Sequence, residues 1–456
     1  METGIVNINY ALSHKTRFEG KFYLNENAFN SMLIERHQNS CLRLEQLADA
    51  FNPPVFKRQF CKKEGHSVAY YQSSDIATLL PSNVYIYKGQ ADKLNLLVKS
   101  GDILIAGFGT VIGDTCVATN MHEGVCFANN VCRVRTFPNV KTGYLAAVLK
   151  SKYGKSMLNN NASGTAIRYI EAPRIKELLI PNFPDDFQKE VDDLIQKSAS
   201  LREEAAKALA EAKDILKDWI NVEFEKHNFQ TAVVSSKNIW SSLQHRIDPP
   251  AIMNDGVKTM EEVTSRMDCT TIGKIDGKVF RPGIFKRSYV ENGIPYIKGS
   301  EIFLTNPFRR CDHLSRTRTP FIEEMSMKEG QILITCAGSV GDIKLITKEY
   351  EEKESIGSQD IIRLESTDEL YTKEYMFVYL QLPFVYDYIQ SMKYGSVIER
   401  IEPFHVESIP VVKPTKEVSD EITSLIQTYM DCTYRAFCAE EQAITMVEQE
   451  IEKWNN

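Results

Sequence analysis

The chain has 456 residues, enough for two to four domains, and its 43% hydrophobic and 25% charged side chains are those of an ordinary globular protein. A formal net charge of −7 argues against a uniformly basic nucleic-acid binder but leaves room for local basic patches. Ten cysteines without a single CxxC pair speak against a zinc site and for buried free thiols. The N-terminus has no apolar run suited to a signal peptide and no stretch reaches the ~20 apolar residues needed to cross a bilayer, so the chain is expected to be soluble and cytoplasmic.

In chain order, residues 1–182 read as a mixed α/β domain rich in short strands. The runs LNLLV, DILIAG, TVIGDTCVA and VCRVR are separated by glycine and polar turns, and a helical stretch follows at Gly143–Met157. Residues 183–228 read as one long helix. Pro184-Asp185 marks its start, and Phe187, Val191, Leu194, Ser198, Leu201, Ala205, Ala208, Ala212, Ile215 and Trp219 step by four and three as in a coiled-coil seam. Such a rod, roughly 50 Å long at ~1.5 Å per residue, leaves its seam exposed and requires a partner.

Residues 229–413 repeat the first domain's signals: PYIKG, QILITC, DIKLIT and DIIRLE, then a helical stretch at Thr372–Met392 that Pro383 kinks or divides. Residues 414–456 form a second long helix, with Ile422, Tyr429, Ala436 and Ala443 on its apolar side. Lying back along the first, it supplies the missing partner. The pair is then antiparallel with one globular domain at each end.

The halves match residue for residue in places. GDILIAGFGTVIGD begins at Gly101 and GQILITCAGSVGDI at Gly330, 229 positions later. Arg17-Phe18-Glu19 matches Arg246-Ile247-Asp248, Lys57-Arg58 matches Lys286-Arg287, and the stretch from Tyr71 echoes that from Tyr296. SGTAIRYIEAPRIKELLIPNF from Ser163 matches YGSVIERIEPFHVESIPVVKP from Tyr394. Several pairs in the same order at nearly one spacing indicate a tandem duplication with an internal pseudo-twofold axis.

Reactive constellations are missing. The glycine segments lack the lysine of a phosphate loop, since Asp114 and Asp342 follow their last glycines, and they read as strand-to-strand turns. Asn52-Pro53-Pro54-Val55 lacks the aromatic residue of a methyltransferase motif, and His245 and His313 are isolated. No catalytic residue and no metal ligand is assigned, and a binding protein is the better reading than an enzyme. The candidate DNA-contacting residues are basic side chains with tyrosines among them: Lys57, Arg58, Lys62, Lys63, Arg133, Arg168 and Tyr169 in the first domain, and Lys286, Arg287, Lys298, Arg309, Arg310, Arg316, Arg318, Tyr394 and Arg400 in the second. Such groups neutralise phosphates, and arginine reads guanine edges. The helix-seam and partner-binding candidates are Leu194, Leu201, Ala208, Ile215, Trp219, Ile422, Tyr429, Ala436 and Ala443.

On the two glycine-containing strand motifs and the two segments that pass through Ile-Pro into a long helix, the chain resembles the DNA-specificity subunit of Type I restriction-modification systems. The resemblance covers nearly the full length. It implies two target-recognition domains separated by two antiparallel helices. Each domain would read one half of a bipartite double-stranded DNA site while the helices set the unread gap. It implies two methyltransferase subunits carrying S-adenosylmethionine, and restriction-translocase subunits using ATP and Mg, with no cofactor in this chain. A protein-only coiled-coil scaffold, presenting two like domains to protein partners, is the alternative.

Overall fold

The computed structural model describes residues 25–80, 82–164, 167–226, 236–241 and 246–455. Arg17-Phe18-Glu19, Thr165-Ala166, residues 227–228 at the end of the first long-helix segment, and His245 lie outside the described residues. The chain is mixed α/β and divides into two compact units, Met1–Glu203 with Arg435–Asn456, and Glu204–Tyr434.

Among the described residues, unit 1 begins with a helix that the strand-rich reading did not include, α1 (Glu26–Arg36). The Asn25 side chain caps it by accepting from the Ala28 amide at 3.0 Å. The strands are β1 (Cys41–Arg43), β2 (Ala48–Phe51), β3 (Phe60–Cys61), β4 (Ser67–Tyr71), β5 (Tyr85–Tyr87), β6 (Ile103–Ala106), β7 (Thr115–Val117), β8 (Cys126–Phe127) and β9 (Val131–Thr136). Helices α2 (Thr142–Lys150), α3 (Lys152–Asn160) and α4 (Ala172–Lys176) follow, then β10 (Leu179–Pro181), which pairs with β1, and the long helix α5 (Asp185–Ile220). The expected helix over Gly143–Met157 is two helices. Ser151 breaks it in extended conformation and its hydroxyl accepts from the Gly154 amide to start the next.

The central sheet of unit 1 is antiparallel in the order β2-β9-β6-β7. A smaller sheet has the order β3-β5-β4-β8, with β4 and β8 parallel. Ile103 and Ile105 enter one core with Val134 and Val148, whereas Leu104 and Ala106 enter the opposite core with Phe127 and Val131. With both faces of β6 covered, ILIA is an unbroken apolar run rather than an alternating one.

Unit 2 contains α6 (Asp255–Arg266), β11 (Cys269–Thr271), β12 (Gly277–Phe280), β13 (Tyr289–Ile297), β14 (Asp312–Leu314), β15 (Ile332–Thr335), β16 (Ile343–Leu345), β17 (Ile356–Gly357) and β18 (Ile361–Ser366). After these come α7 (Lys373–Tyr379), α8 (Pro383–Ser391), α9 (Pro403–Glu407), β19 (Pro410–Val412) and the long helix α10 (Lys416–Glu452). Its central sheet runs β12-β18-β15-β16, the same order of elements as in unit 1, and β11 pairs with β19 as β1 pairs with β10. Ile332 and Ile334 face one core and Leu333 the other. The Tyr144 hydroxyl donates to the Pro181 carbonyl at 2.7 Å, and the Tyr375 hydroxyl to the Val412 carbonyl at 2.8 Å.

Each long helix contributes to both units. In unit 1 they run antiparallel: Phe183, just before α5, meets Trp454 at 5.5 Å, and the Ser198 hydroxyl donates to the Ala436 carbonyl at 2.8 Å. In unit 2, Ala212, Leu216 and Ile220 share a core with Ile422, Ile426 and Met430. Of the expected seam, Leu201, Ala208, Ile422, Ala436 and Ala443 are buried. Leu194, Ile215, Trp219 and Tyr429 are only partly covered, and their neighbours Ile195, Leu216, Ile220 and Met430 are buried instead. A strict heptad stripe suits a helix packed on one other helix. These helices also pack on a globular core, so the buried stripe Ala212, Leu216, Ile220 follows the ordinary 3.6-residue turn. Among the described residues no helix is long and apolar enough to cross a membrane.

Candidate nucleic-acid interface

The basic candidates of unit 1 lie on the loop from β2 to β3 and the turn from β3 to β4. Lys57, Arg58, Lys62 and Lys63 are all exposed. Gln90 fixes the loop from both sides: its amide donates to the Lys57 carbonyl at 2.7 Å and its oxygen accepts from the Gln59 amide at 3.2 Å. Arg58 lies over the Tyr70 ring at 5.5 Å, and Phe60 meets the same ring edge-on at 6.1 Å. His66 stacks on Tyr87 at 5.7 Å. The loop thus presents cations interleaved with aromatic faces, the combination that suits a polyanion carrying flat bases.

Unit 2 places Lys286 and Arg287 between β12 and β13, with Arg287 over the Tyr296 ring at 5.6 Å and its Nε donating to the Tyr296 hydroxyl at 2.8 Å. The aligned tyrosine of unit 1 is therefore Tyr70, one position before the Tyr71 expected from the sequence. Several cations here meet carboxylates: Lys298 with Asp312 at 2.6 Å, Arg316 with Glu354 at 2.5 Å, and Arg287 with Asp360 at 3.9 Å. Lys286, Arg310, Arg316 and Arg318 are exposed and Arg309 is half-buried.

The two motifs that repeat in sequence come together in space within each unit. The Gly109 amide donates to the Arg168 carbonyl at 2.9 Å, and the ring of Tyr169 stacks on Phe108 at 6.3 Å. In unit 2 the Gly338 amide donates to the Glu399 carbonyl, and Arg400 bridges to both Ala337 and Tyr394. Gly107 has to be glycine, because a Cβ there would lie 2.8 Å from the Ile170 carbonyl oxygen and 2.9 Å from that of Asn130. Gly164 and Gly395 turn the following hairpins at φ +94° and +101°. The glycine segments join antiparallel strands, β6 to β7 and β15 to β16. Tyr394 stacks on His405 and its hydroxyl donates to Glu402.

One candidate is overturned. Arg133 is 1% exposed, donates to the Asn95 and Leu96 carbonyls, and burial lowers its pKa. Its position explains why: it lies opposite Leu104 on a strand covered on both faces. Arg363, opposite Leu333, is buried in the same way in unit 2, donating to the Ile361 and Gly357 carbonyls at 2.9 Å. These arginines tie loop carbonyls to the central sheet. The patterns VCRVR and DIIRLE, each with an arginine inside a buried strand, are the signals that could have marked them. Arg135 is half-exposed and pairs with buried Asp102 through two bonds of 2.7 and 2.9 Å.

Acidity is concentrated away from these loops. Residues 183–228 hold 12 acidic and 7 basic side chains and residues 414–456 hold 9 and 3, so the rest of the chain is net positive against a total of 61 acidic and 54 basic. Among the described residues no group of three His, Cys, Asp or Glu side chains could hold a metal ion. Six of the ten cysteines are buried and Cys438 is exposed; burial pushes the Cys116 and Cys132 thiols up to about 12.

The fold and its loops define a two-unit mixed α/β protein with basic, aromatic-flanked surfaces. Residues 277–436 match the family described as Type I restriction modification DNA specificity domain. Among solved structures, the chain is similar to a Type I restriction-modification S subunit from M. genitalium at 14% identity, covering 91% of this chain and 95% of that one with a TM-score of 0.37. It is also similar to the HsdS subunit from Thermoanaerobacter tengcongensis at 13% identity, covering 90% and 95% with a TM-score of 0.27. No curated protein matches the chain.

Proposed function

We propose that this chain is the non-catalytic sequence-recognition subunit of a Type I restriction-modification complex acting in the cytoplasm, with each unit reading one half of a bipartite DNA site. The observation that carries the reading is that the strand order of the family-matched unit recurs in the other unit. Two like units in one chain suit two half-sites. In this reading α5 and α10 set the unread gap and dock two methyltransferase subunits, which hold S-adenosylmethionine, and restriction-translocase subunits bring ATP and Mg. The net acidity of the two helical segments fits a protein-docking surface rather than one laid along phosphates.

The test is methylome sequencing of a host with and without this chain. Methylation at one split motif is lost when the chain is removed. A seven-residue insertion in each long helix lengthens the gap and leaves both half-sites intact. An unchanged methylome overturns the reading and leaves the protein-only scaffold.

A further inference from the structure

Aligned without a gap, Ser163–Glu171 and Tyr394–Glu402 keep four residues: Gly164 and Gly395, Ile167 and Ile398, Ile170 and Ile401, Glu171 and Glu402. Three of these pairs have structural work. The glycines sit at positive φ, and a Cβ on either would collide with the carbonyl oxygen of the isoleucine three residues on. Ile170 and Ile401 are buried in the cores, and the two glutamates are the N-caps of α4 and α9. The remaining pair has no such work: Ile167 is 58% and Ile398 54% exposed. Their flanks have changed between the copies, Arg168-Tyr169 in one and Glu399-Arg400 in the other. A single exposed aliphatic side chain is ordinary on a protein surface. The same one kept in both copies while its neighbours diverged calls for an occupant outside the chain.

The hairpins that carry these isoleucines are held at their base. Ser163 and Tyr169 exchange backbone hydrogen bonds at 2.7 and 2.8 Å, and Tyr394 and Arg400 at 3.0 and 2.9 Å. Isoleucine is stiff at χ1, so each tip offers a rigid aliphatic peg, joined in unit 2 by the exposed Val397. In unit 2 the peg stands beside cations. The Ile401 amide, at the hairpin's end, donates to the Cys336 carbonyl at 3.0 Å, and the Cys336 amide donates to the Asp360 carbonyl at 3.2 Å. The Asp360 carboxylate lies 3.9 Å from Arg287, on the loop that also carries the exposed Lys286. A narrow aliphatic tip next to phosphate-seeking cations has the form of a wedge between stacked bases.

Resting on the DNA reading above, we propose that Ile398 and Ile167 are wedges. Each inserts into a base step of duplex DNA in or beside the half-site that its unit reads, and unstacks that step. The peg itself reads no sequence, which is why it is common to both units, while the changed flanks meet different neighbouring bases. The unstacked step bends the duplex locally and brings more of it against the cation loops.

The experiment uses the full chain and a duplex carrying the split motif whose methylation depends on it. 2-Aminopurine is placed at one position of the duplex at a time; its emission reports unstacking, and the anisotropy of a fluorescein end label reports binding at low salt. The unaltered chain is expected to raise the emission severalfold at one step for each half-site. Ile398→Ala should abolish the rise at one half-site and Ile167→Ala at the other, with affinity changed by less than about tenfold. Ile398→Leu should keep the rise, because leucine also wedges. Unchanged emission in either alanine variant overturns the proposal, as does binding by the unaltered chain with no rise at any position. Lost methylation with unchanged emission overturns it too and assigns the isoleucines to a protein contact. If no split motif depends on the chain, or the unaltered chain does not bind the duplex, the DNA reading itself fails and the proposal falls with it. Both isoleucines are exposed, and an unchanged far-ultraviolet spectrum verifies the fold.

Discussion

Where the long helices cross unit 1, a carboxylate is buried; where they cross unit 2, a lysine is half-buried. Glu440 of α10 is 4% exposed and lies 2.7 Å from both Arg202 of α5 and Lys150 of α2. Burial alone would raise its pKa, but the two cations and their hydrogen bonds outweigh it and bring the carboxyl to about 2. On α5 in unit 2, Lys213 is half-buried with no ion pair among the described residues, and burial lowers its pKa. The two helices share an apolar core in this unit through Ala212, Leu216, Ile426 and Met430. Within unit 1 a charged knot thus joins the two helices beside their apolar contacts, whereas within unit 2 the contacts between them named here are hydrocarbon. A paired charge ties three elements at fixed positions, whereas apolar contact tolerates a shift of register.

The largest expected effect follows from breaking the knot. Glu440→Gln leaves Lys150 and Arg202 facing each other with 15% and 18% exposed side chains, at a cost of about 3 kcal/mol or more. Hydrogen-exchange protection should fall in the α2–α3 peptides of unit 1 and stay unchanged in the α7–α8 peptides of unit 2. Replacing all three groups together (Lys150→Met, Arg202→Leu, Glu440→Leu) should restore most of the loss, because an apolar knot of similar volume avoids the desolvation of three charges. The acid response has a definite sign. A carboxylate whose folded pKa is depressed contributes stability that is present above the unfolded value of ~4.3 and is lost as pH falls through the folded value of about 2. Unit 1 should therefore lose about 3 kcal/mol from this group over that window, and the triple variant should not. Lys213 acts in the opposite range, because its depressed pKa is a penalty that eases as pH rises toward the unfolded lysine value.

A smaller effect separates structural from surface arginines. Arg133 completes the carbonyls of Asn95 and Leu96 from inside the sheet, so Arg133→Met is expected to destabilise unit 1 by about 2 kcal/mol. At temperatures where the variant remains folded, its affinity for a random duplex should match the unaltered chain. A drop in affinity at full stability would return Arg133 to the DNA-contacting set.

This pair of arginines shows what was legible in the sequence and what was not. The spacing of glycine motifs, the short apolar runs and the two long helices were readable because they depend on local period and turn chemistry. The fate of each cation was not, because one strand position decides whether an arginine points into a core or over a loop. Arg58 and Arg133 are both basic residues with a second basic residue within two positions in the sequence; the first lies on a clamped loop, the second on a strand with both faces covered. Helix α1 was missed because it mixes polar and apolar residues without a clean stripe, and its start is marked only locally, by the cap Asn25 and the acidic Glu26 after it. The seam slipped by one position for a reason no period reveals in isolation, which is that the globular core takes a share of each helix.

The smallest expected effect probes how closely the helices approach within each unit. In unit 1 the Ser198 hydroxyl is buried and donates to the Ala436 carbonyl at 2.8 Å, a contact that only a small side chain allows. In unit 2, Tyr429 of α10 is partly buried and its ring stacks on Phe377 at 5.7 Å. Ser198→Ala removes one buried hydrogen bond, a loss of about 1 kcal/mol. Tyr429→Phe keeps the stacked ring and should change stability by no more than a few tenths of a kcal/mol. Urea midpoints for the two variants, each followed by hydrogen exchange in its own unit, check both. If Tyr429→Phe cost as much as Ser198→Ala, unit 2 would also hold its helices by a polar bond, and the contrast between a charged and an apolar junction would lose its basis.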